Sequence, residues 1–75
     1  MNIKNKLDDN EIKLLESVNI KLEDKDYTID DTGEIIEKLD EEIHNHLDKN
    51  LNFTEKSIEL EKLQDKILKF EENID

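Results

Sequence analysis

Carboxylates dominate the side chains able to do chemistry here: twenty-two Asp and Glu stand against eleven Lys, with two His and no Arg or Cys. One spacing resembles a metal site. Asp40, His44 and Asp48 follow i, i+4, i+8 and would share a helical face. One imidazole and two carboxylates suit zinc or manganese, but transition-metal sites gather more ligands, and His46 points elsewhere. Pairing of His44 with its acidic neighbours is the simpler reading, so no metal is expected. Calcium fails on register. Counted from Asp24, an EF-hand loop would have Ile29 and Ile35 where Gly and Glu are required; counted to place Gly33 correctly, it begins at Thr28 and ends at Leu39. Ser17 and Ser57 have no histidine nearby in sequence to act as base. A carboxylic general acid needs a desolvating pocket, and a chain of 75 residues has little core to spare. The expectation is a non-enzymatic protein without a cofactor.

The carboxylates have a second use, as a surface. On a helical wheel Asp30, Glu34, Glu37, Glu41 and Asp48 form one stripe, opposite Ile36, Leu39, Ile43 and Leu47. Residues 28–50 carry −6, against −2 for residues 1–27 and −3 for residues 51–75, so the charge is concentrated there. A helix carrying the whole stripe would extend it over about 27 Å. Neighbouring carboxylates would stand about 5–6 Å apart, near the phosphate spacing of a strand. Such a stripe suits a basic protein groove. The plainer alternative is a helix wetting its outer side with charge. Only Glu34 to Lys38 offers an i,i+4 pair on this face. A net charge of −11 argues against direct nucleic-acid binding and against anionic membrane surfaces. No apolar run exceeds two residues, which excludes a membrane-spanning helix. No apolar segment follows Met1-Asn2-Ile3-Lys4, so a cytoplasmic location is expected.

The elements that must position these residues are legible from their ends. Charged residues make up 44% of the chain, a disorder signal, but ten Leu and ten Ile at helical spacing oppose it. Asp8 with Glu11 forms a capping box, and Leu7 with Ile12 a hydrophobic staple. A helix is predicted over about residues 9–18, with Ile12, Leu15 and Val18 inward. Asn19 in the left-handed conformation and Ile20 beyond it would close this helix in a Schellman motif. Residues 20–29 read as an extended connector with Ile20, Leu22 and Tyr27 tucked under the helices, or as a small hairpin. A second helix is predicted over about residues 29–50, capped by Thr28 with Asp31 and ending near Asn50. Gly33 makes Thr32 an alternative start. A third is predicted over about residues 54–73, capped by Thr54, with Phe53 and Ile58 as a second staple. Leu60, Leu63, Ile67, Phe70 and Ile74 step by three and four, a seam of about two heptads. The predicted fold is all-α: a single domain, residues 1–75, built as a small three-helix bundle. The seam is either core-facing or the contact of a homodimer.

The run from Asn19 to Thr28, Asn-Ile-Lys-Leu-Glu-Asp-Lys-Asp-Tyr-Thr, followed by the Ile/Leu stripe, resembles short acidic helical proteins of low-GC Gram-positive bacteria and their mobile elements. The resemblance covers roughly residues 10–50 and implies no functional residue. Asp31-Thr32-Gly33-Glu34 departs from the uninterrupted helix start it would suggest. The functional expectation is therefore an interaction module, a regulator or inhibitor binding a basic protein surface. The alternatives are a nucleic-acid mimic, carried by a phage or mobile element, that blocks a host nuclease, and a structural homodimer using the α-helical seam.

Overall fold

The computed structural model describes residues 1–74, and each of its four helices begins at a side chain that caps it. Helix α1 is Ile3–Lys6, α2 is Asp9–Glu16, α3 is Ile29–Asn45 and α4 is Glu55–Glu72. No strand forms among the described residues, so the fold is all-helical.

The caps follow from local chemistry. Asp8 accepts from the Glu11 N–H at 2.8 Å while Glu11 accepts from the Asp8 N–H at 3.0 Å, satisfying two amides that a helix start leaves open. Thr28 with Asp31 and Thr54 with Ser57 repeat the arrangement. The exit of α2 is a Schellman motif: Ile20 N–H donates to Leu15 C=O at 2.9 Å and Asn19 N–H to Glu16 C=O at 3.0 Å. Asn19 stands at φ 64°, as its type allows. Regular helix ends at Glu16 rather than at residue 18, because Ser17 and Val18 belong to this closing turn.

Two features depart from the expected outline. The first is α1, a single turn too short to show periodicity in the sequence. It sinks Ile3 completely into the core, and Leu7 follows at its end. The second is the end of α3. It stops at Asn45 with His46 as its cap, five residues before Asn50. Asp48 provides the reason. Its Oδ1 accepts from the N–H groups of Asn50 at 2.8 Å and Asn52 at 2.9 Å. Short acidic side chains compete with helical bonding in this way. Leu51, and not Asn50, takes the left-handed conformation, at φ 62°.

Helix α3 does run through Gly33, and Thr28 is its cap. Its inward face is Thr32, Ile35, Leu39 and Ile43, with Ile36 at the core edge, so the apolar stripe is turned toward Ile35 relative to the wheel. The buried Thr32 hydroxyl donates to Thr28 C=O at 2.8 Å and so leaves no polar group stranded. Helix α4 turns Ser57, Leu60, Leu63 and Ile67 inward. It packs antiparallel to α3, pinned by Gln64 Nε2 donating to Ile36 C=O at 3.1 Å and, at the turn, Thr54 Oγ1 to His46 C=O at 2.6 Å. Helix α2 is tied to the opposite flank of α4 by Lys66 Nζ to Glu11 at 2.8 Å and Lys56 Nζ to Ser17 Oγ at 2.8 Å.

The connector between α2 and α3 is extended and forms no hairpin. It buries Ile20, Leu22 and Tyr27, as expected of a segment tucked under the helices. The Tyr27 hydroxyl accepts from Glu23 N–H at 2.7 Å, and Tyr27 N–H donates to Met1 C=O at 2.8 Å. This strap carries the chain back to the end of the molecule where α3 must begin.

Candidate protein-binding surface

Burial of Ile35, Leu39 and Ile43 fixes the rotation of α3 and therefore what it shows to solvent. Asp30, Glu34, Glu37 and Glu41 are all exposed on the outward side, where the helical period puts them. Asp48 is exposed as well, but it lies in the turn beyond α3 and not on the helical stripe. Its carboxylate is engaged with two loop amides, so the stripe is four residues long rather than five.

Among the described residues the ion pairs join Lys25 to Glu23 and Asp31, Lys66 to Glu11 and the N-terminal amine to Asp26, and His46 Nε2 lies 3.7 Å from Glu42 Oε2, a pair only when the imidazole is protonated. None of them uses Asp30, Glu34, Glu37 or Glu41. Four carboxylates on one helical face without a cation within 4.0 Å repel one another and favour an external cation. Asp31 is different, because it serves the helix start. The Thr28 backbone N–H holds its carboxyl below the usual carboxylate range, with the Thr28 hydroxyl and the Lys25 ammonium adding to the effect against a smaller opposing cost of burial.

The metal spacing does not assemble. His44 Nδ1 lies 2.9 Å from the backbone oxygen of Asp40, not from its carboxylate, and Asp48 has left the helix. Among the described residues no three His, Asp or Glu side chains gather around a common point.

The heptad seam is largely spent inside the molecule. Leu60, Leu63 and Ile67 are buried in the core of the single chain, Phe70 packs at its edge, and Ile74 is half-buried at the far end. Phe53 and Ile58, the residues of the expected second staple, are 55% and 42% exposed. Leu51, in the turn beyond α3, is 78% exposed. Its signal was present only as an apolar residue between two asparagines. No described helix is long and apolar enough to cross a membrane. No known family model, curated protein or solved structure matches this chain.

Proposed function

We propose that this chain is a small non-enzymatic, cytoplasmic interaction module that regulates or inhibits another protein by docking an acidic face onto its basic surface. The observation that carries this reading is the set of exposed, unpaired carboxylates Asp30, Glu34, Glu37 and Glu41 along α3. Complementary charge speeds encounter and rejects wrong partners. The experiment is a tagged pull-down from a low-GC Gram-positive lysate at low and high salt, with Glu37→Lys/Glu41→Lys as control. A partner lost at high salt and in the reversal, with helicity unchanged by circular dichroism, supports the reading. Binding left unchanged by the reversal sinks it.

A sharper form is a nucleic-acid mimic acting on a host nuclease. The spacing of carboxylates along α3 favours it, and it predicts that DNA or RNA competes for the same partner. The homodimer reading draws less support, since Leu60, Leu63 and Ile67 are already covered by the chain's own core. A dimer would need residues outside that seam.

A further inference from the structure

Beside the turn between α3 and α4 lies a groove of about 320 Å³ whose apolar lining includes Leu47, Leu51 and Phe53 and whose titratable side chains are Asp40, Glu61, Asp65 and His44. Among the described residues no lysine lines it. Asp48 fixes the turn by bonding Asn50 and Asn52, and Thr54 ties the turn to the end of α3. Leu51 and Phe53 sit 78% and 55% exposed on this turn, so two large apolar groups are held in water by a hydrogen-bonded scaffold. Singly exposed hydrophobes are ordinary, but adjacent ones on a groove that also presents three carboxylates, with His44 beside them, define a chemistry.

We propose that this groove anchors a basic amphipathic segment of a partner protein. One apolar side chain of that segment seats against Leu47, Leu51 and Phe53, while a flanking lysine or arginine reaches Asp40, Glu61 or Asp65. An alkyl stem ending in a cation suits a lining of these two kinds. A second copy of this chain is the wrong occupant. It would bring its own carboxylates against these on a molecule of net charge −11. The proposal rests on the reading of the chain as a protein-binding module. It moves the anchor from the α3 face to the α3–α4 turn.

The test is a titration of ¹⁵N-labelled protein with three synthetic helical peptides, built from leucine and lysine, leucine and glutamate, or serine and lysine. The leucine–lysine peptide should shift the amides of residues 47–53 and 61–65, and the other two should bind at least about tenfold more weakly. Leu51→Asn/Phe53→Ser should weaken the leucine–lysine peptide by about tenfold or more. Both positions are exposed, so the fold is retained; Leu51→Asn alone, in a conformation asparagine accepts, serves as the second variant. Glu37→Lys/Glu41→Lys should leave the shifts at residues 47–53 in place. Equal affinity in the Leu51/Phe53 variant overturns the proposal, as does a mass that doubles with concentration and reverts on Leu51→Asn. Shifts confined to residues 30–41 and lost only in the glutamate reversal overturn it while leaving the α3-face reading standing. Loss only in the turn variant supports the groove and removes the α3 face.

Discussion

Gly33→Ala tests the position of α3 most directly. With Thr28 as cap, Gly33 is the fifth residue of the helix, and its φ is not positive. A glycine there costs the helix roughly 0.5–1 kcal/mol relative to alanine, through backbone freedom lost on folding. The added methyl has room, because the nearest atom outside the local helix is Glu71 Oε2 at 4.0 Å, the end of a flexible side chain. The gain should therefore be retained in full. For a domain of this size each kcal/mol moves the melting temperature by about 4–8 °C, so the variant should melt about 2–8 °C higher. Thermal unfolding followed at 222 nm measures this, and a urea titration should show a higher midpoint at unchanged slope. Had Thr32 been the cap, Gly33 would be the first residue of the helix and alanine would gain little. A melting temperature that stays level or falls refutes the placement of α3.

Two further outcomes follow from burial and charge. Leu63 is 3% exposed in the core, so Leu63→Glu should abolish the helical signal, whereas Leu68→Glu, at an exposed position on the same helix, should change stability by less than about 0.5 kcal/mol. A folded Leu63→Glu monomer in gel filtration would contradict the core assignment. The second concerns acid. Asp31 is held below the ordinary value of 3.8, so the stability it contributes is present above that value and is lost as pH falls through its lower folded value. Melting temperatures between about pH 5 and pH 2 should fall less steeply in Asp31→Asn; parallel curves would show that the Thr28 and Lys25 contacts carry no stability.

The starts of α2, α3 and α4 were legible because capping is local. Asp8 with Glu11, Thr28 with Asp31 and Thr54 all act within four residues of themselves, and the Schellman closure at Asn19 and Ile20 needs only α2. The end of α3 was not legible, because Leu47 continues the apolar period that Asp48 interrupts. Two signals competed there, and a carboxylate bonding two loop amides outweighed one more half-covered leucine. The rotation of α3 also escaped the wheel. Adjacent Ile35 and Ile36 present equal hydrophobicity, and packing against α4 decides which of them goes inside. Leu60, Leu63 and Ile67 of the α4 seam share one buried face, as their spacing implies. Whether it faced its own chain or another depended on α3 and the strap, which lie far away in sequence.

That internal use of the seam governs how the molecule can associate. The exposed large apolar groups are Ile29, Leu51, Phe53, Ile58 and Leu68. Leu51 and Phe53 lie together at the α3–α4 turn, whereas Ile29 starts α3 at the opposite end and Leu68 lies far along α4. The Asp30–Glu41 face and the apolar anchor thus occupy different stretches of α3 and its turn, although Asp40, Glu61 and Asp65 lie beside the anchor, and this divides the work of binding. Long-range attraction acts before contact and sets the association rate; desolvation of an anchor acts after it and sets the dissociation rate. On the proposed function, reversing Glu37 and Glu41 should slow association and flatten its salt dependence, while replacing Leu51 and Phe53 should speed dissociation at an unchanged association rate. Stopped-flow binding of the leucine–lysine peptide separates the two. If both variants altered the same rate constant, the carboxylate face and the turn would be acting as one contact, and the division drawn from their positions would fail.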